Sequence, residues 1–214
     1  MHIPDGFLDL KTVIATGVVS AGGLGVSIYK VKKIFKARTI AIMGVLAALI
    51  FALQMINFSI PGGTSGHLLG GALSSIVAGP FGGSIILSVV LIVQALIFND
   101  GGITALGANI FNMAIIGVMS SYLVYYLIRK ISKSKINFYI AIVAASWFSV
   151  VLASFFAAFE LGISGTYEMA VTLKAMVLVH MIIGAGEAII TTAIIAFIDR
   201  IRPDLILTNE ERSL

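Results

Sequence analysis

The sequence predicts an all-α integral membrane protein whose 214 residues form one domain, a bundle of seven transmembrane helices. Hydrophobic residues make up 59% of the chain and charged residues only 11%, and the mean hydropathy is +1.07. Soluble domains carry roughly a quarter charged residues, so this chain lacks the polar surface of a water-soluble globule. Apolar runs close to the roughly 20 residues that a helix needs to cross a bilayer recur along the sequence.

The seven predicted helices follow one another with short connections. Their bounds are Leu8–Tyr29, Thr39–Ile56, Gly66–Gly79, Gly83–Phe98, Ile103–Ile128, Ile136–Phe159 and Met169–Ile198. The third is rich in glycine and has only about 14 residues, which is near the lower limit for crossing a membrane. The sequence GPFGG predicts a turn between the third helix and the fourth. A polar tail, residues 203–214, follows the last helix.

Three clusters of basic residues orient the bundle. Of the 14 Lys and Arg residues, 12 lie within 30–38, 129–135 and 200–212. Cytoplasmic loops are enriched in such residues, so the N-terminus is predicted outside and the C-terminus, with its polar tail, in the cytoplasm. This placement requires two membrane crossings between Gly66 and Phe98. A re-entrant pair of helices would leave the following loop on the same side of the membrane, so it remains an alternative. Five carboxylates then fall at the outer face: Asp5, Asp9, Asp100, Glu160 and Glu168.

Several kinds of site are excluded by what the sequence lacks. It has no cysteine, and therefore no disulfide and no thiolate metal site. It contains no GxxxxGK[ST] phosphate-binding loop, no HExxH and no GxSxG, so neither an enzyme nor an ATPase is indicated. The net charge of +4 does not indicate a nucleic-acid partner, because the basic residues flank apolar runs. The start MHIPDG lacks the features of a cleaved signal peptide, so the native N-terminus is expected to persist.

His2 is the most informative residue of the sequence. A terminal amine, the amide nitrogen of residue 2 and the imidazole of that residue close two adjacent chelate rings, a planar nitrogen set of the type that Ni(II) or Cu(II) prefers. The set requires a free amine on Met1, which is expected to remain because its removal needs a small second residue. Ile3-Pro4 stiffens the chain that follows. The extracellular N-terminal segment, residues 1–7, is therefore a predicted metal-binding segment.

His67 is predicted to supply the fourth nitrogen of this site. It follows PGGTSG at the outer mouth of the third helix, and proline and glycine at a helix break are typical of binding sites in membrane proteins. A histidine that merely caps a helix entrance is the alternative. Metal-binding histidines usually donate their second N–H to a polar partner. Candidates for such partners lie at the fourth and fifth helices: Gln94, Asn99 and Asp100, with Asn109 and Asn112. The alternative is that FNDGG, residues 98–102, is simply a turn, and this interpretation is slightly favoured.

His180 lies near the middle of the seventh helix, and Glu187 follows seven residues later on the same helical face. Ionisable groups at membrane depth are costly and are functional by default. The pair fits a proton relay in a self-sufficient, proton-coupled divalent-metal permease, and it fits an internal structural pair. Gly184 and Gly186 make close helix packing equally plausible. On the first helix, Gly17, Ala21 and Gly25 lie four residues apart, a pattern of internal packing or of a docking seam for another membrane subunit.

The start MHIPDGFL, seven apolar helices and a histidine in the loop before the third helix resemble the CbiM/NikM family over essentially the whole chain. The resemblance implies a substrate-capture (S) subunit of an energy-coupling-factor importer for nickel and cobalt. It also implies the ligands: the amine of Met1, the amide and imidazole of His2, and His67. On this hypothesis a residue inserted after Met1, His2→Ala and His67→Ala each abolish metal binding.

The resemblance further implies a division of labour at the inner (plasma) membrane. This subunit is expected to capture Ni(II) or Co(II), as transported substrate and not as cofactor, while a transmembrane coupling protein and two cytoplasmic ATPases supply the energy. The missing phosphate-binding loop agrees with this. Longer family members carry a further C-terminal membrane segment that this chain, ending at Leu214, does not show, so a small accessory membrane subunit is a candidate partner. A planar four-nitrogen site favours nickel over cobalt by a modest margin.

Overall fold

The computed structural model describes residues 1–32 and 37–208. Lys33 and Lys36 of the first basic cluster lie outside the described residues, as do residues 209–214 of the predicted polar tail. Within the described part the chain is mostly helical, and one short antiparallel pair of two-residue strands interrupts the helices.

The elements begin and end as follows. In chain order they are α1 Leu10–Val31, α2 Ala37–Gln54, β1 Phe58–Ser59, β2 Ser65–Gly66, α3 Gly71–Ile97, α4 Leu106–Asn109, a π-helical stretch Ile110–Gly117, α5 Val118–Ile131, α6 Lys135–Ile163, α7 Met169–Ile201 and a 3-10 turn Pro203–Leu205. Capping side chains mark two of the starts. The carboxylate of Asp9 accepts from Thr12 N at 3.0 Å before α1, and Ser134 Oγ accepts from Asn137 N at 3.2 Å before α6.

Five helical segments of the described chain are long and apolar enough to cross a membrane. They are Leu10–Val31, Gly71–Ile97, Leu106–Ile131, Lys135–Ile163 and Met169–Ile201, and the apolar helix Arg38–Gln54 is shorter. Large apolar side chains such as Ile14, Val18 and Leu178 are more than half exposed on the outside of the bundle, as lipid-facing positions are. The predicted fold class, a multi-pass helical membrane protein, is confirmed. The number of seven crossings and the orientation of the termini stay predictions.

Helix α3 is broken at Gly79. This residue has φ 75° and ψ 167°, which are not helical, and Pro80 follows it. A Cβ added to Gly83 would lie 3.0 Å from Ser75 N, although residues eight apart in one straight helix are separated by about 12 Å. The chain therefore reverses at Gly79, within the predicted turn GPFGG. The two arms, Gly71–Ala78 and 80–97, pack against each other.

The predicted third helix differs from the structure at its start. Helix begins at Gly71 and not at Gly66, because Gly70 adopts φ 79° and the preceding residues are extended. The N–H groups of Leu69 and Gly70 donate to the carboxylate of Glu187 on α7, the latter at 2.9 Å. A buried carboxylate thus caps the positive end of the first α3 arm. The segment enters the bundle as extended chain and continues as a short helix, the discontinuous form found in transporter binding sites.

The bundle has two chemically different ends. The N-terminal end carries residues 1–9 and three loops that contact them: 55–70, 98–105 and 164–168. The basic end carries the remaining connections, and there Arg38 and Arg202 both contact Asp204. Thr208 Oγ1 donates to Ile76 O at 2.7 Å, so the first arm of α3 reaches the basic end. The core between the two ends includes the fully buried side chain of Met1.

The small-residue face of α1 is packed at one position and open at the others. A Cβ on Gly107 would lie 2.6 Å from Gly17 Cα, and Ser20 Oγ donates to Gly107 O at 2.7 Å, so this part of the face packs inside the bundle. Ala21 and Gly25, by contrast, are exposed. Internal packing therefore accounts for one end of the predicted face.

Candidate metal centre

The N-terminal segment lies inside the bundle rather than on its surface. Met1 and Ile3 are fully buried, and His2 is 4% exposed. Ile3 N donates to Asn109 Oδ1 at 2.8 Å, and Ile3 O accepts from Asn109 Nδ2 at 3.1 Å and from Gly102 N at 2.9 Å. These three bonds satisfy the main chain of residue 3, and they fix where residues 1 and 2 must lie.

The loop before α3 encloses the first two residues from the other side. The amine of Met1 donates to Ser65 O and, at 2.9 Å, to Ser65 Oγ. The amide N–H of His2 donates to the same hydroxyl at 3.1 Å, and Thr64 Oγ1 donates to His2 O at 2.7 Å. The terminal amine and the His2 amide therefore face one hydroxyl group, which brings the two main-chain nitrogens of the predicted chelate together.

The imidazoles of His2 and His67 stack against each other. Their ring centroids lie 4.4 Å apart, with 17° between the planes. His67 Nδ1 lies 2.8 Å from Leu68 O, which assigns its N–H to Nδ1 and leaves Nε2 buried with a lone pair and no hydrogen bond. His2 Nε2 lies 3.1 Å from Gln94 Oε1, and its Nδ1 lies 3.2 Å from Asp100 Oδ1. The second nitrogen of each ring thus has a polar partner, as metal-binding histidines require.

Burial favours the neutral forms of the Met1 amine and of His67. It lowers the pKa of the Met1 amine well below its usual value, and Asp100 offsets this only in part. Burial also lowers the pKa of His67 well below its usual value. For His2, burial lowers the pKa although Asp100 opposes it. Burial alone would raise the pKa of Asp100, but its contact with His2 lowers it on balance, so this carboxylate stays ionised.

A cavity of about 590 Å³ opens at the N-terminal end of the bundle and leads to this site. Its lining consists of His2, Pro4, Asp5, Phe7, Ser59, Ile60, Gly63, Thr64, Ser65, Asn99, Asp100, Gly101, Gly102 and Tyr167. Two of these are carboxylates, which raise the local concentration of cations. His2 is the candidate ligand that the cavity reaches, and Met1 and His67 lie buried behind it.

The three side chains predicted to surround the site have different roles in the structure. Gln94 and Asp100 contact the ring of His2, one at each nitrogen. Asn99 lines the cavity at φ 52°. Its side chain makes no hydrogen bond to the candidate ligands within the described part of the chain. Gln94 and Asp100 therefore orient His2, whereas Asn99 belongs to the turn.

The two other asparagines have different roles. Asn109 holds both main-chain groups of Ile3, so it positions the N-terminal segment. Asn112 Nδ2 instead donates to Glu160 Oε2 at 2.7 Å, away from the histidines. Glu160, predicted at the outer face, lies toward that end of α6 but is buried inside the bundle and 3% exposed. Its place on the outer side of the membrane stays a prediction, and the amide of Asn112 gives the buried carboxylate a partner.

Thr64 and Ser65 are site residues that the sequence did not predict. Both lie in the sequence PGGTSGH, directly before His67, so their proximity to that ligand was the available signal. Their contacts to the first two residues span more than 60 positions of the chain. No local pattern indicates such a contact.

His180 and Glu187, the candidate proton relay or structural pair, each contact main-chain groups, and no contact joins the two in the described part of the chain. Glu187 directs its two carboxylate oxygens to the main-chain N–H groups of Leu69 and Gly70. His180 Nδ1 lies 2.7 Å from Met176 O in the preceding turn of its own helix. Glu187 thus anchors the segment that carries His67, and its partners are main-chain groups.

Gln94→Ala is expected to weaken nickel binding by roughly 10- to 100-fold, because His2 loses the partner that sets its ring orientation. Asn99→Gly is the matched control: it lies in the same region, and glycine adopts φ 52° readily. Nickel titration of the two purified variants, measured by calorimetry, compares their affinities for nickel. Equal affinities would show that the Gln94 contact does not act on the metal site.

The chain matches known proteins over nearly its full length. The family model CbiM, described as "Cobalt uptake substrate-specific transmembrane region", covers residues 2–205. The chain belongs to the CbiM family. This membership confirms the resemblance and identifies a nickel and cobalt transport family.

Relatives of this CbiM chain are described as metal transport proteins and not as enzymes. A putative fused nickel transport protein NikMN of Archaeoglobus fulgidus is 44% identical over 208 residues, which cover 96% of this chain and 68% of the relative. A putative metal transport protein of Haloquadratum walsbyi is 38% identical and covers 100% of this chain and 96% of the relative. A crystal structure titled as a transition metal transporter has a TM-score of 0.90 at 33% identity, covering 94% of this chain and 93% of that one.

Proposed function

We propose that this chain is the substrate-specificity subunit of an ATP-driven energy-coupling-factor importer, which captures Ni(II) or Co(II) from outside the cell. The observation that carries the proposal is the burial of the Met1 amine and His2 beside His67, at the end of the bundle where a cavity with two carboxylates opens. Family membership supports metal transport as the activity. The lack of a phosphate-binding loop supports ATP hydrolysis by separate subunits.

The proposed ligands are four nitrogens: the Met1 amine, the His2 amide, His2 Nδ1 and His67 Nε2. His2 Nδ1 lies 3.2 Å from Asp100 Oδ1 in the absence of metal, so metal binding at this nitrogen must replace that contact. In residues 1–32 and 37–208 no three His, Asp or Glu side chains converge, so a site here depends on main-chain nitrogens. The Met1 amine and the His2 amide close a five-membered ring, and the His2 amide and Nδ1 close a six-membered ring. Binding displaces the proton of the His2 amide, which the structure shows donating to Ser65 Oγ.

A planar set of four nitrogens favours Ni(II), with Co(II) next in the order of affinity. Cu(II) binds such a set more tightly still, so discrimination against copper falls to the shape of the site or to metal supply. We propose nickel as the main substrate and cobalt as the second.

The proposed topology places the N-terminal end outside and the basic end in the cytoplasm of the inner membrane. Arg38, Arg129 and Arg202 at the basic end support this orientation, since cytoplasmic loops are enriched in such residues. The proposed bundle has seven segments. They are α1, α2, the two arms of α3, the continuous segment from α4 to α5, α6 and α7. The exposed positions Ala21 and Gly25 of α1 then offer a surface to the coupling protein.

The proposed partners are a transmembrane coupling protein, two cytoplasmic ATPases and a small accessory membrane subunit. The description of the Archaeoglobus fulgidus relative as a fused nickel transport protein supports the accessory subunit. The alternative is a self-sufficient proton-coupled permease that uses His180 and Glu187.

Nickel uptake into vesicles distinguishes the two functions. We expect the chain alone, reconstituted with a proton gradient, to give no uptake above empty vesicles, and the chain with its coupling protein and ATPases to give uptake that depends on ATP. A catalytically dead ATPase is the matched control. Uptake by the chain alone that collapses with the proton gradient would contradict the importer and establish the permease.

A further inference from the structure

His180 is a buried histidine that the proposed chelate does not use. Its side chain is 0% exposed, and Nδ1 lies 2.7 Å from Met176 O, which assigns the N–H to Nδ1. Nε2 then carries a lone pair, and it is buried without a hydrogen bond. Buried polar atoms normally have partners, so this nitrogen calls for one. His67 shows the same arrangement, with Nδ1 on a main-chain carbonyl and Nε2 free.

The face of α7 that carries His180 lines the loop that carries His67. Thr64 N donates to Met176 Sδ at 3.5 Å, one turn before His180. One turn after it, Ile183 Cδ1 would lie 2.9 Å from a Cβ on Gly66. The four-residue and three-residue spacings place Met176, His180 and Ile183 on one side of the helix. His180 therefore faces the loop between Thr64 and His67.

A further contact fixes this register. Glu187, seven residues after His180, binds Leu69 and Gly70 farther along the same segment. His180 lies about 16 Å along α7 from its first residue, at a rise of about 1.5 Å per residue. It therefore lies inside the bundle, level with the part of the loop between Thr64 and Gly66.

We propose that His180 Nε2 and His67 Nε2 form a second, inner position for the divalent transition-metal ion, which the ion occupies after it leaves the terminal chelate. The proposal rests on the proposed function, because it gives the captured metal its next ligand. His67 is shared by both positions, so the ion exchanges the Met1 and His2 nitrogens for His180 and water without losing all protein ligands. The released amide nitrogen of His2 regains a proton from water.

The inner position is weaker than the terminal chelate by its chemistry. It has two imidazoles, whereas the chelate has four nitrogens linked by two rings. Glu187 is not an available ligand, because its oxygens hold main-chain N–H groups. Weak binding suits a transit position, from which the ion must continue toward the basic end.

Cobalt binding by full-length protein in detergent tests this proposal. The probe is Co(II), whose visible absorption reports nitrogen ligands. His2→Ala removes an imidazole of the terminal chelate, and we expect it to retain one weak Co(II) ion per chain. His2→Ala/His180→Gln is expected to bind that ion about tenfold more weakly or not at all. His2→Ala/Thr192→Val is the matched control, since Thr192 Oγ1 is another unpaired buried polar atom on α7, and it should retain the ion.

The outcomes separate this proposal from the proposed function. If the unaltered protein does not bind nickel tightly, the proposed function itself is overturned. With that binding intact, no residual cobalt in His2→Ala, or equal residual binding with and without His180, would overturn the inner position. Thermal unfolding checks that each variant folds. If His180→Gln does not fold, His180→Asn takes its place, and uptake by the assembled transporter carrying the His180 variant should fall about tenfold.

Discussion

Insertion of two alanines between Met1 and His2 is expected to abolish nickel binding. The insertion separates the terminal amine from the His2 amide, so the two adjacent chelate rings no longer form. The fully buried Met1 side chain also leaves no room for a longer segment to fold back. One inserted alanine is not expected to abolish binding, which corrects the expectation drawn from the sequence. It makes the histidine third, and an amine, two amides and an imidazole then chelate nickel without His67.

Nickel titration of purified protein measures this effect. The matched control carries two alanines appended after Leu214, so that chain length is equal and the start is native. The control is expected to bind about one nickel ion per chain, and the insertion variant none. Equal binding by the two proteins would place the metal elsewhere in the molecule.

His67→Ala is expected to weaken nickel binding by more than about 100-fold. Loss of an outer partner of a ligand costs roughly 10- to 100-fold, and removal of a ligand itself costs more. The stacked ring of His67 also supports His2, at a centroid distance of 4.4 Å. The remaining amine, amide and imidazole leave one position of the metal to water.

Leu68→Ala is the control for His67→Ala. It truncates a partly buried neighbour in the same loop but keeps the main-chain carbonyl that accepts from His67. Competition with a nickel chelator of known affinity measures both variants. Similar losses in the two would mean that the loop's packing, and not the His67 nitrogen, supports binding.

Features that depend only on neighbouring atoms can be predicted from the sequence. The proposed ligand pattern at residues 1 and 2 is one of them, and helices defined by apolar runs are another. Several predicted helix ends lie close to the observed ones for the same reason. The predicted seventh helix begins at Met169, as α7 does.

The parts that could not be predicted depend on contacts distant in sequence. The extended start of the predicted third helix results from Glu187, which lies more than 110 positions away. Gly102 was interpreted as part of a turn, but a Cβ there would lie 2.3 Å from Asp5 N, so glycine is what lets the N-terminal segment approach. Asn109 and Asn112 look alike in sequence, and only the packing of the bundle assigns one to Ile3 and the other to Glu160.

X-ray absorption of the nickel-loaded protein with its native start tests the central claim most directly. Four nitrogens from Met1, His2 and His67 predict an edge with the pre-edge feature of planar Ni(II), and a first shell of four nitrogen neighbours that include imidazole. The same measurement on the two-alanine insertion should show no bound nickel. A six-coordinate shell with oxygen ligands in the native protein would contradict the proposed chelate.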